Sequence, residues 1–161
     1  MRPTTSKSHK TSATFCISSR KRDFLPRSSF WQPKLRTATA MMRLCWAQLL
    51  VSLVPFRHWR SRLGLAAQGK QLVDHVAARS QAADVEWAAR RLPFKTKCLP
   101  RAMALSWTLR RKKIEHSVVF AVRPADSRES AEALHAWVEI DGQKILGDLP
   151  GPWIDTLRLG A

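Results

Sequence analysis

Leu134-His135-Ala136-Trp137-Val138-Glu139-Ile140-Asp141-Gly142-Gln143-Lys144-Ile145-Leu146-Gly147-Asp148 reads as a β-hairpin. Two apolar-rich runs flank Asp141-Gly142, a pair that favours a two-residue type I′ turn. A two-residue loop sets the register, so Ile140 faces Gln143 and Glu139 faces Lys144. Continued outward, Val138 faces Ile145, Trp137 faces Leu146 and His135 faces Asp148. Opposite charges at Glu139 and Lys144 suit this register, and a slip of one residue would separate them. The hairpin thus predicts an imidazole beside a carboxylate at its open end.

A His held by an Asp is fit to act as a base through its other ring nitrogen. The candidate nucleophile is Cys98, in Lys95-Thr96-Lys97-Cys98-Leu99-Pro100-Arg101. An amphipathic run follows it, and Pro100 suits a first helical turn. A helix N-terminus favours thiolate, as do the neighbouring Lys97 and Arg101. Cys98, His135 and Asp148 are therefore the candidate catalytic residues.

Around these residues the chain is basic. Its 161 residues carry 28 Lys and Arg against 12 Asp and Glu, a net charge of +16. Residues 1–40 hold nine basic residues and one acidic residue, and residues 41–113 hold fifteen and three. Residues 114–161 reverse the sign, with four basic and eight acidic. A basic surface suits nucleic acid, anionic lipid or an acidic peptide, or is simply solvated. No zinc-finger spacing, RNA-binding aromatic motif or glycine-rich phosphate loop selects nucleic acid, and none is expected as a partner. Cys16, Cys45 and Cys98 are odd in number and widely spaced. They make no disulfide framework and no CxxC metal pair, so a reducing cytoplasm is the expected setting. No cofactor or metal is expected.

Residues 1–40 contain thirteen Ser and Thr and little apolar periodicity, which predicts a disordered basic extension. Their Arg- and Ser-rich, acid-poor character also suits a transit-type segment. The apolar pattern begins just after Met41 and Met42, which favours a start of translation there. Met41 to Val54 is a helix-like apolar run, too short to span a membrane, which takes about 20 residues. At most it makes peripheral contact with one. Lys70 to Leu92 reads as helix, with an interruption near Ser80, and Pro93 ends it. Cys98 to about Lys113 is the central helix, His116 to Arg123 a strand buried on both faces, and Pro124 to Ala133 a loop with a helical turn at its end. Trp153 to Ala161 is expected to be a short tail that packs over the site. The fold class is α+β, helices packed on a small antiparallel sheet, in one domain over 41–161.

A Cys that opens a helix, then a His and an Asp on successive strands, resembles the transglutaminase-like arrangement of the papain-type cysteine peptidases. Cys98-Leu99-Pro100-Arg101, His135-Ala136-Trp137-Val138-Glu139, Asp141-Gly142 and Gly147-Asp148 resemble the leader peptidases of lasso-peptide biosynthesis over residues 42–150. The resemblance implies removal of the leader from a precursor peptide, with Cys98 as nucleophile, His135 as base and acid, and Asp148 orienting His135. It also implies two partner proteins, a separate leader-recognition protein and an asparagine-synthetase-like cyclase. Two rivals remain. One is a transglutaminase-type acyl transferase that keeps the triad. The other is a non-enzymatic module that binds peptide or nucleic acid through its basic helices.

Overall fold

The computed structural model describes residues 32–66, 74–124 and 133–160. Three helices precede a four-stranded antiparallel sheet, which makes the fold α+β. Helix α1 runs Gln32–Leu53, α2 His75–Arg91 and α3 Cys98–Arg111. Two 3₁₀ turns, Phe56–His58 and Arg60–Arg62, follow α1. The strands are β1 Ser117–Val122, β2 Leu134–Ile140, β3 Gln143–Leu146 and β4 Ile154–Leu159, in the sheet order β3-β2-β1-β4.

Helix α3 is the hub. Ala102, Met103, Ala104, Leu105 and Leu109 are all buried, a wide apolar face that lets α1, α2 and β2 pack on it. Ala40, Leu44 and Ala47 supply the buried face of α1 at helical spacing. Helix α1 begins at Gln32, so residue 40 falls inside it, and Ala40 packs in the core. Met41 and Met42 lie within α1 as well. The expectations for residues 1–31 and for Lys70 to Val73 lie outside the described residues, as does most of the turn at Glu129–Ala133.

Helix α2 is continuous through Ser80. Its buried face, Ala78, Gln81, Ala82, Val85, Ala88 and Ala89, keeps its helical spacing past that residue, so the polar Ser80 simply lies on the outside. Asp74 caps it, accepting from the N–H of Ala77 at 2.8 Å. The tail is a strand: β4 pairs antiparallel with β1. On β1, Val118 faces the helices while Val119 and Ala121 face Trp137, so both faces are covered as expected.

The hairpin turn has positive φ at both Asp141 (47°) and Gly142 (75°), the type I′ geometry its sequence predicts. Ile140 faces Gln143 and Glu139 faces Lys144. The register then shifts, and Val138 pairs with Leu146 rather than Ile145. One extra residue in β3 makes a bulge. Ile145 and Leu146 both pack against the helical core, which two successive residues of a regular strand could not do. The expected facing of His135 and Asp148 is lost with that residue. Glu139 takes Arg158 as its ion-pair partner, Oε2 to Nη2 at 3.2 Å.

Beneath the sheet lies a closed polar chain. His116, 3% exposed, places Nδ1 2.8 Å from the Ile114 carbonyl and Nε2 2.8 Å from Ser106 Oγ. Ser106 Oγ also accepts from the Gly64 N–H at 3.0 Å. A carbonyl only accepts, so Nδ1 carries the proton and Nε2 accepts from the Ser106 hydroxyl. Every group in the chain is satisfied only while the ring is neutral.

Candidate active site

Cys98 is the first residue of α3 and is half-buried. The residue before it, Lys97, provides no side-chain cap, so the first-turn N–H groups of α3 are open to other acceptors. The approach to Cys98 is tied down. Arg101 Nε donates to Thr96 Oγ1 at 2.9 Å, and Arg101 Nη1 meets Glu86 Oε2 of α2 at 3.4 Å. The helix tip is thereby held against both the segment that leads into it and its neighbour helix.

Burial pushes the Cys98 thiol up. Hydrogen bonding with the His135 ring, bonds from the N–H groups of Ala136 and Leu99, and the charge of His135 more than offset this. The thiol is left below its ordinary range, a shift that favours the nucleophilic thiolate. The Ala136 donor exists because β3 stops pairing at Leu146. Past that point the N–H on this edge of β2 has no strand to bond and serves the sulfur instead.

Structure and sequence agree on bringing Cys98 and His135 together. Asp148 is not the partner that the hairpin register predicts. His135 Nε2 lies 2.6 Å from the carbonyl oxygen of Gly147. The Asp148 side chain is 77% exposed, and its Oδ1 meets Lys144 Nζ at 3.5 Å. The bulge in β3 is the physical cause: counted on from Val138–Leu146, the register sets Asp148 opposite Ala136 rather than His135. Gly147 has φ +84°, and a Cβ there would lie 3.0 Å from the Ala136 oxygen and 3.2 Å from Trp137 Cβ. Only glycine allows this approach.

The carbonyl also settles the proton. Nε2 must donate, which leaves Nδ1 as the ring nitrogen for the Cys98 thiol. Two indoles flank the ring, Trp137 with centroids 6.0 Å apart and Trp153 at 5.0 Å. Trp153 is fixed by its Nε1–H to the Leu149 carbonyl at 3.0 Å and by Arg123 over its face at 4.7 Å. Lys144 lies over Trp137 at 4.6 Å.

Gly147 and the Ala136 N–H were not legible as site residues, and Trp153 only as the start of a tail expected over the site. A glycine directly before Asp148 was a usable signal for Gly147. Trp153 had only its Gly151-Pro152 setting, and a backbone donor has none. Among the described residues, no group of three or more His, Cys, Asp and Glu could hold a metal ion. No helix there is long and apolar enough to cross a membrane.

The family model described as Transglutaminase-like superfamily matches residues 35–153, well over half of the chain. No curated protein and no solved structure matches it.

Proposed function

The chain belongs to the transglutaminase-like superfamily, which includes cysteine proteases and acyl transferases, and from that premise we propose that it is a cysteine peptidase. Its substrate in this reading is a ribosomally made precursor peptide of the lasso type, from which it removes the leader. The observation that carries the reading is a depressed Cys98 thiol at the tip of α3, hydrogen-bonded to a His135 whose tautomer is set by the Gly147 carbonyl.

In this mechanism the Cys98 sulfur attacks the scissile carbonyl and its proton passes to His135 Nδ1. The oxyanion forms beside the Cys98 N–H, at the open end of α3. His135 then protonates the leaving amine, and the C–N bond breaks to give a thioester. Water, deprotonated by His135, attacks the thioester and frees the acid and the thiol. Gly147 orients the ring through its carbonyl oxygen. Asp148, next in the chain, adds a negative charge that water screens. A leader-recognition protein would present the precursor, and an asparagine-synthetase-like cyclase would take the amine released. The wide spacing of the cysteines favours the cytoplasm as its setting.

A second reading, acyl transfer to an amine, shares every step up to the thioester. Mass spectrometry of a precursor peptide incubated with the protein separates the two. Loss of a leader with gain of one water supports the peptidase, and a mass retained as a cross-link supports transfer. Cys98→Ala and His135→Ala should each abolish cleavage. Turnover by the Cys98→Ala protein would remove the mechanism altogether.

A further inference from the structure

Helix α1 has a second apolar face that nothing in the described structure covers. Met42, Trp46, Leu49 and Leu53 follow one another at spacings of four, three and four, so they form one stripe. Met42 is 74% exposed, Trp46 59% and Leu53 75%. Beside Trp46 the surface sinks into a groove of about 450 Å³ between α1 and the C-terminal half of α3. Leu50 and Trp107 line it with Trp46, and Arg62, Arg110 and Arg111 stand on its rim.

We propose that this groove and stripe dock an acidic amphipathic helix of a partner protein. The rim is positive and uncompensated: among the described residues, no carboxylate is within ion-pair distance of Arg62, Arg110 or Arg111. Arg110 is aimed by its own fold, with Nη1 donating to the Gly64 carbonyl at 3.0 Å. The positive field extends along α1, where burial and then the charge of Arg111 push Arg43 below its ordinary value.

Charge decides among occupants. A second copy of this chain would set arginine rim against arginine rim. Residues 1–31 hold seven basic residues and one acidic residue, so they would add to the charge rather than neutralise it. An anionic bilayer would meet the charge, but a flat surface leaves a groove between two helices unfilled. An apolar side chain on an acidic helix fills the groove and places carboxylates at the rim. The groove's α3 lining, Trp107 to Arg111, lies nine to thirteen residues along α3 from Cys98, about 14–20 Å at 1.5 Å per residue, so a partner seated there leaves the thiol open. The inference stands apart from the catalytic reading, because binding can be measured without a nucleophile.

The test uses the full chain carrying Cys98→Ala and a fluorescent synthetic peptide of about three heptads, with Leu at a and d and Glu at e and g. A control peptide carries Lys in place of Glu. Anisotropy should show the Glu peptide binding at least tenfold more tightly than the control and weakening with added salt. Trp46→Ser and Arg111→Glu, both at exposed positions, should each weaken binding at least tenfold while thermal unfolding stays unchanged. Equal binding of the two peptides would overturn the proposal, as would unchanged binding in both variants. So would self-association in sedimentation that Trp46→Ser abolishes, or binding to phosphatidylglycerol vesicles, lost in Trp46→Ser, by a protein that ignores the Glu peptide.

Discussion

His135 Nε2 lies 2.6 Å from the carbonyl oxygen of Gly147, closer than a typical N–H···O bond, and so a peptide carbonyl holds this nitrogen of the imidazole. That carbonyl is where it is because residue 147 has no Cβ. Gly147→Ala puts a methyl 3.0 Å from the Ala136 oxygen at a φ of +84°. Strain of this kind costs about 1–3 kcal/mol. Relieving it moves the carbonyl off the ring. The variant should melt lower by calorimetry and lose most of its kcat/KM in a precursor-cleavage assay.

Asp148 should matter far less than its place in the sequence suggests. Its carboxylate is exposed and paired with Lys144 at 3.5 Å. An exposed pair of this kind contributes about 0–1 kcal/mol. Asp148→Asn should therefore lower kcat/KM by less than about fivefold, whereas His135→Ala removes activity. Side-by-side kinetics of the two variants checks this, and an equal loss in both would return the orienting role to the carboxylate.

The thiol makes a chemical prediction of its own. Burial raises Cys98, and the bonds with His135, Ala136 and Leu99 bring it below the ordinary thiol range. Thiolate absorbance followed against pH should thus titrate below an ordinary cysteine. His135→Ala removes the strongest of the lowering bonds and the charge that accompanies it, so its titration should move to higher pH. Alkylation by iodoacetamide at neutral pH should slow in step.

Acid should loosen the fold through His116. Burial pushes its pKa below 6.5; the bond to the Ile114 carbonyl raises it in part, and the charge of Arg110 lowers it further. The unfolded ring therefore takes up a proton more readily than the folded one. Stability is complete above about pH 6.5 and falls as pH drops toward the lowered value. Urea midpoints from pH 7.5 down to 5 should show this fall. In His116→Gln the slope should be shallower by up to one proton, about 1.4 kcal/mol per pH unit.

Much of the frame was legible because it rests on local rules. Asp141-Gly142 specifies a tight reversal whatever surrounds it, and both residues take positive φ. Cys98 opens α3 because an apolar helical face starts there. The bulge at Ile145 was not legible, since it answers to packing rather than to the turn. Two successive apolar residues need the same core, and only the helices across the sheet make that demand. The start of α1 was hidden for a related reason. Ala40 and Ala47 are small enough to look neutral in a hydrophobic pattern, yet they let α1 approach α3 closely. Trp153 joins the site only because β4 returns beside β1, and no residue nearby announces that pairing.

That return has a consequence for how the protein comes to life. The sulfur at 98, the ring at 135, the carbonyl at 147 and the indole at 153 arrive on four separate segments, and the last is locked by pairing of Ile154–Leu159 against β1. During synthesis the reactive centre is thus completed only once residues up to Leu159 have left the ribosome. Until then a nascent chain carries its thiol without all the groups that sharpen it, and so is spared from acting on whatever lies near it.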